Sequence, residues 1–438
     1  MAKEHLPSVS RRQALKTAMA AAVGGGVLAG DRAQARQASD TRLTPSSSGQ
    51  RFRAYVRFGT QASVRDLKLL PISPRQVVLR SEAAQICYTT TPDGLGTTPV
   101  ANAFLPGHGG VGTVIEIGSK VNRVAVGDRV VVAGTRQCGA CYACLRGRAD
   151  HCLLRNGGGD PNAPMAEMPD GTKVTGFTPS CSELMVVFEE SCVPVFTTVS
   201  SVELAMLVDT GLTGLAATTT KVRVETGSDV AILGAGPIGL AAVQGARIQG
   251  AAQIIVVDPI RYRREAALAL GATIALDPNV EGDNLVRKIQ ELCRGKTGRH
   301  LAGGGNIGPD FVIEAVGGDL FPPKTEVGPD PTGIRSLHQA WDLCSPVGHV
   351  VTLSGGHPPG SVVSIPANQW ANSAKSHQPG NLAGANPMRD IPRFVRLIEA
   401  GLFNAKALAT ARFPLERARE AFQAAADRTT VAAVMDFS

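Results

Sequence analysis

Charge is scarce in this chain. Only 18% of its 438 residues are Asp, Glu, Lys or Arg, against about 25% in an average soluble domain. That argues against a disordered, highly charged polymer, and the 43% apolar content is ample for packed cores. The excess of positive charge is also modest. The formal net charge is +7, and residues 1–35 hold five basic and two acidic side chains, which leaves +4 for the remainder. A surplus so small and dispersed does not make a nucleic-acid-binding face. No apolar stretch is long and greasy enough to span a bilayer, so no stable membrane anchor is expected. The length of 438 residues allows two or three domains, and no internal repeat is present.

What is present is organised around Ile232-Leu-Gly-Ala-Gly-Pro-Ile-Gly-Leu240. An apolar run of strand length, Val230 to Leu233, leads into Gly234, Gly236 and Gly239, and an Ala-rich helical run from Leu240 to Gln249 follows. Strand, glycine turn and helix form the context that makes Gly-x-Gly-x-x-Gly a dinucleotide signal. Gly234 permits the tight turn, Gly236 admits a pyrophosphate, and Gly239 lets helix and strand pack closely. Pro237 and Ile238 open the helix, where proline's missing donor costs nothing and free N–H groups face the phosphates. A second apolar run, 254–257, ends at Asp258, 24 positions after Gly234. A carboxylate near that spacing takes the ribose hydroxyls, which predicts NAD over NADP. Arg261, three residues on, could accept a 2′-phosphate and soften that preference.

In chain order, residues 8–35 have the parts of an export signal: Ser10-Arg11-Arg12-Gln13-Ala14-Leu15-Lys16 resembles the twin-arginine consensus, a mildly apolar region follows, and Ala33-Gln34-Ala35 is a cleavage candidate. The expectations are a twin-arginine signal peptide over 1–35, passage through the twin-arginine translocase, a periplasmic or exported protein, and a Ser-rich linker over 36–50. Residues 51–209 show short β-like runs, such as 76–80, 111–117 and 128–132, broken by Gly and Pro, which predicts a mostly β domain. Residues 210–381 alternate apolar strands (230–233, 254–257, 273–276, 311–314 and 349–353) with helical stretches, the mark of a doubly wound parallel sheet. Two insertions, Gly-rich 296–310 and 319–334 with four prolines, exceed ordinary connections and could cover a dinucleotide crevice. Residues 382–438 contain helical segments at 391–400 and 415–426 and a last strand near 431–437. The fold class is α/β.

Four of the nine cysteines fall in one segment, Cys138, Cys141, Cys144 and Cys152. Thiolates so close can converge on one tetrahedral zinc. Two disulfides are the competing reading for an exported protein, but a twin-arginine substrate folds before export in a reducing compartment, which favours metal. Cys87, His108 and Asp209 stand apart, and each has a bland reading: a buried thiol, a hydrogen-bonded histidine, a helix N-cap.

From Arg51 onward the chain resembles the zinc-dependent medium-chain alcohol dehydrogenases. The resemblance rests on Gln85-Ile-Cys-Tyr-Thr-Thr90, Pro106-Gly-His108, Val126-Gly-Asp-Arg-Val130, the four-cysteine lobe, the glycine turn and Asp258. It implies a GroES-like catalytic domain, a Rossmann domain, and a C-terminal segment that returns to the first. It places Cys87, His108 and Asp209 at a catalytic zinc, beside the structural zinc of the cysteine lobe, and makes Thr89 the hydroxyl that passes on the alcohol proton. The chain departs from the family where a carboxylate usually follows that hydroxyl (here Thr90) and the zinc histidine (here Gly109), where a relay histidine often stands (Pro92), and where some members carry a basic residue for the pyrophosphate (Tyr88). The expected function is hydride transfer between an alcohol, or an aldehyde hydrate, and NAD, with two zinc ions per subunit, in a homo-oligomer. The rivals are a nicotinoprotein that keeps its NAD and uses a second acceptor, and a dinucleotide-binding protein without catalysis.

Overall fold

In a computed structural model, residues 46–96, 98–154, 160, 163–176, 178–294, 308–319, 330, 332–353, 355 and 357–438 are described, and all but Ser46 belong to one compact unit, Ser47–Ser438. The expected signal peptide, most of the linker, and most of both insertions (295–307, 320–329 and 331) lie outside the described residues. Among the described residues no helix is long and apolar enough to cross a membrane.

The first half is built on β-structure. Strands Arg51–Gly59, Gln61–Leu69, Ala166–Glu167, Lys173–Gly176 and Val100–Leu105 close into a barrel. Behind it a second sheet runs Cys192–Pro194, Arg129–Val132, Val111–Ile117, Gln76–Ile86, Ala433–Asp436, Ala411–Phe413, with Leu184–Phe188 also paired to Gln76–Ile86. The eleven-residue strand Gln76–Ile86 is the spine of this half and is mostly buried. The chain's last strand pairs with it antiparallel, Ala433 opposite Ile86 and Asp436 opposite Ala83. The C-terminal segment therefore returns to the strand that delivers Cys87.

The second half is a six-stranded, all-parallel sheet in the order Ile274–Leu276, Gln253–Val257, Asp229–Leu233, Phe311–Glu314, His349–Thr352, Ser376–Pro379. The three strands at its centre, Gln253–Val257, Asp229–Leu233 and Phe311–Glu314, are buried along their whole length, as expected where helices cover both faces of a parallel sheet. The order reverses beside Asp229–Leu233, where chain direction carries one connection to each side. Such a switch point opens a crevice at the strands' carboxyl ends. Five of the six strands coincide with the apolar runs within a residue. The sixth, Ser376–Pro379, is an edge strand of polar residues ending in proline, and it carries no periodic apolar signal.

Candidate active site and dinucleotide crevice

Cys87 follows the spine strand and begins the 3-10 turn Tyr88–Thr90. The threonines that follow build this corner. Thr90 Oγ1 donates to the Cys87 carbonyl at 2.8 Å and Thr91 Oγ1 to that of Tyr88 at 2.6 Å. Thr90, which stands where a carboxylate was expected, therefore acts on the local backbone.

His108 sits between two glycines with positive φ, Gly107 and Gly109. Its backbone N–H donates to Ser180 Oγ at 2.9 Å, and that hydroxyl donates to the Gly109 carbonyl at 3.0 Å. Gly109 has φ +103, and a Cβ there would lie 2.2 Å from the Val132 carbonyl oxygen. The missing glutamate after the histidine thus has a steric cause: this backbone admits no side chain at 109.

Asp209 occupies the N-cap position of the Thr210–Ala216 helix, but its carboxylate makes no capping bond. The Asp209 backbone carbonyl instead accepts from Thr213 Oγ1 at 2.7 Å. Next to it, Thr210 Oγ1 donates to Gln85 Oε1 at 2.8 Å and ties this helix to the Cys87 strand. The result is convergence. One ligand atom each from Cys87, His108 and Asp209 lies within 4.8 Å of the others. Burial pushes the Cys87 thiol well above the ordinary range, and the Asp209 carboxylate beside it acts in the same direction. A cation placed among these donors would reverse both effects. Sulfur, imidazole and carboxylate are zinc's ligand set, and three protein donors leave a fourth position open.

Thr89 Oγ1 lies 3.0 Å from Cys87 Sγ and 2.9 Å from His108 Nε2. On the next helix, Thr91–Leu95, Asp93 lies within electrostatic reach of His108 and Arg57, and partial desolvation raises its carboxyl. Ser180, the Gln85–Thr210 bond and Asp93 were not found from the sequence. The first two act across 72 and 125 positions, where no spacing signal exists.

The four lobe cysteines also converge, with all four Sγ atoms within 4.8 Å. Cys138 and Cys144 are 3.9 Å apart, and Cys141 and Cys152 are 4.0 Å apart. Sulfurs at tetrahedral corners about 2.3 Å from a zinc lie about 3.8 Å apart, so the donor set fits that ion. All nine cysteines are free thiols. Backbone N–H groups point at the sulfurs, from Cys141 to Cys138 Sγ at 3.3 Å and from Leu153 to Cys141 Sγ at 3.4 Å. Donation of this kind holds the Cys141 thiol well below its usual range.

In the crevice the three glycines divide their roles. Gly234 has φ +89, and a Cβ on it would crowd Ala315; a Cβ on Gly239 would lie 1.8 Å from the Gly234 carbonyl; a Cβ on Gly236 would meet only Arg263 Nη1, at 3.8 Å. Gly236 therefore faces the open side. Pro237 and Ile238 open the Pro237–Ile248 helix. Asp258 is buried, with one oxygen accepting from Ala235 N–H at 2.7 Å and the other from Ile260 N–H at 2.8 Å. Each oxygen thus accepts one backbone bond. Arg261 is exposed and pairs with Glu265 one helical turn on, while Arg263 faces the glycine turn and Arg264 donates to the Asp258 carbonyl at 2.7 Å.

The alcohol dehydrogenase GroES-like domain family matches residues 73–197, and the zinc-binding dehydrogenase family matches residues 237–327. The NDMA-dependent alcohol dehydrogenase of Amycolatopsis methanolica is 30% identical over 395 residues, covering 86% of this chain and 96% of that protein. Two solved structures share the fold: an alcohol dehydrogenase zinc-binding domain protein from Burkholderia ambifaria (TM-score 0.75, 24% identity, 89% of this chain and 99% of that one) and benzyl alcohol dehydrogenase from Acinetobacter calcoaceticus (TM-score 0.74, 23% identity, 89% and 100%).

Proposed function

The chain belongs to the zinc-binding, medium-chain alcohol dehydrogenase family, and from that premise we propose that it oxidises an alcohol, or an aldehyde hydrate, with NAD as hydride acceptor and zinc at both cysteine-bearing sites. That it is an alcohol oxidoreductase follows from its relatives. The observation that carries the finer reading is the meeting of Cys87, His108 and Asp209 from three distant segments, with the Asp209 carboxylate left uncommitted by its helix.

A zinc ion held by these three residues supplies Lewis-acid polarisation of the alcohol oxygen and lowers its pKa. The chain does the rest. Thr89 Oγ1 touches both Cys87 and His108, so it is placed to take the alcohol proton and hand it outward. Asp93 on the following helix is the carboxylate nearest to that route in sequence. The Gly234 turn, the amino end of the Pro237–Ile248 helix and Asp258 hold the dinucleotide at the carboxyl ends of the parallel strands. The four-cysteine lobe holds a second, structural zinc.

Metal quantification combined with an oxidation screen of primary, secondary and aromatic alcohols tests this. Two zinc ions per chain and alcohol-dependent NAD reduction are expected. Cys87→Ala should remove one ion and Cys141→Ala the other. Zinc-replete protein that binds the dinucleotide but oxidises no alcohol class would favour a binding protein without catalysis. The Amycolatopsis relative's name states a dependence on NDMA, a compound besides the alcohol. The second reading, a retained dinucleotide re-oxidised by a separate acceptor, requires stoichiometric nucleotide in denatured, unsupplemented protein.

The leader over residues 8–35 supports passage through the twin-arginine translocase into the periplasm or beyond. The edge strand Ser376–Pro379 pairs on one side only among the described residues, and an unpaired edge supports a homo-oligomer. Sedimentation that finds only monomer would remove the last claim.

A further inference from the structure

One arginine in the crevice has no part in the scheme above. Arg428 lies between the Ala418–Ala426 helix and the Ala433–Asp436 strand, and its backbone is left-handed, with φ +55. Glycine takes that conformation freely, whereas a side chain there is strained. Here that conformation ends a helix: Arg428 N–H donates to the Ala425 carbonyl at 3.3 Å and Thr429 N–H to that of Ala424 at 3.2 Å. This is the Schellman pattern, whose left-handed residue is usually glycine, so the arginine is retained where glycine would be easier. The Arg428 side chain is only 15% exposed. Its guanidinium lies 5.0 Å from the centre of the Tyr88 ring, Nη2 is 3.3 Å from the Tyr88 hydroxyl, and it forms an ion pair with Asp319.

Its partners come from three walls of the crevice. Tyr88 follows Cys87. Asp319 follows the Phe311–Glu314 strand, at the carboxyl end where the crevice opens, and its other oxygen accepts from Asp330 N–H at 2.7 Å. The Arg428 carbonyl accepts from the Tyr262 hydroxyl at 2.7 Å, in the helix after Asp258. Arg263 donates from Nε to that same hydroxyl at 3.2 Å, and its Nη1 is the group facing Gly236. Hydrogen bonds thus link the Arg428 backbone through Tyr262 to Arg263, the arginine that faces the Gly236 turn.

We infer that Arg428 is a diphosphate-binding cation of this crevice and that Asp319 is its built-in competitor, so that loading of a dinucleotide exchanges an Arg–carboxylate pair for an Arg–diphosphate pair. The inference rests on reading the Gly234 turn as a dinucleotide site. The exchange favours the ligand because a diphosphate brings two negative charges and matches the planar guanidinium fork. It also slows entry, because the resident pair must open first.

The probe is ADP-ribose, which has the diphosphate but no nicotinamide, with adenosine as the control that has neither phosphate. Both are titrated into zinc-loaded full-length mature protein dialysed free of nucleotide. Arg428→Gly suits the left-handed backbone, so it should fold, as its circular dichroism will show. It should weaken ADP-ribose about ten- to a hundredfold, the worth of hydrogen bonds to a charged group, while adenosine binding is unchanged. Asp319→Asn keeps an oxygen for Asp330 N–H but removes the charge, and it should tighten ADP-ribose about two- to tenfold and speed its association. In the Arg428→Gly background the Asp319 change should have no further effect. Unchanged ADP-ribose affinity in folded Arg428→Gly overturns the cation's role. Unchanged or weaker affinity in Asp319→Asn overturns the competition. Wild-type protein that binds no ADP-ribose would overturn the dinucleotide reading itself, and with it this inference.

Discussion

Gly109→Ala isolates the steric demand beside His108. The native backbone at 109 has φ +103, and the new methyl would lie 2.2 Å from the Val132 carbonyl oxygen, in a buried strand that cannot easily yield. The positive φ costs about 1–3 kcal/mol, and forcing a carbon against packed backbone costs about another 1–3 kcal/mol. A total loss of about 2–6 kcal/mol is large against the 5–15 kcal/mol that holds a typical domain. Gly127→Ala is the control, because Gly127 has φ +91 with nothing within 4 Å of its would-be Cβ; it should lose only the backbone share. Urea unfolding of the three proteins, with zinc and after chelation, measures both numbers. The reasoning is refuted if Gly109→Ala matches wild type, or if the two variants lose equally. A loss confined to zinc-loaded protein would mean instead that residue 109 acts by tuning the metal.

Other expectations are open to direct measurement. Thr89→Val should lower kcat about 10²-fold or more, the usual worth of a placed proton-transfer group, with zinc content unchanged and with Thr89→Ser retaining most activity; full activity in Thr89→Val removes the relay. NAD should bind more tightly than NADP, and Asp258→Ser should erode that preference; a wild type that prefers NADP contradicts the assignment. Arg11→Lys with Arg12→Lys should hold the precursor in the cytoplasm by fractionation and blotting, and wild-type protein found only in the cytoplasm with its N-terminus intact would contradict the leader.

Legibility followed the range of the interactions. The glycine turn was readable because its three demands fall within six residues, and each has a counterpart here: a left-handed Gly234, an open Gly236, a Gly239 with no room for a Cβ. The buried parallel strands were readable because burial on both faces requires continuous apolar runs. The edge strand Ser376–Pro379 escaped because an edge is free of that requirement. Asp209 was readable as an N-cap by position, and only resemblance suggested another use; its carboxylate is uncommitted to the helix, which spacing could not show. Arg261 was named by counting residues on from Asp258; the structure adds that a helix begins there and that Arg261 pairs with Glu265 one turn on.

Long-range chemistry was the least readable. Beside Cys87 the chain carries Tyr88, and read along the sequence that corner has no positive charge. In space it has one, because Arg428, 340 positions away, lies over the Tyr88 ring. An uncharged residue at 88, and an arginine at a helix end where glycine is usual, are each odd alone. Together they form one stacked pair, which gives the departure at 88 a physical sense: the aromatic ring is the platform that fixes a cation brought by the returning C-terminal segment. The same return pairs Ala433–Asp436 with the strand that delivers Cys87, so the segment that brings the cation is also hydrogen-bonded to the strand that ends at the Cys87 thiol.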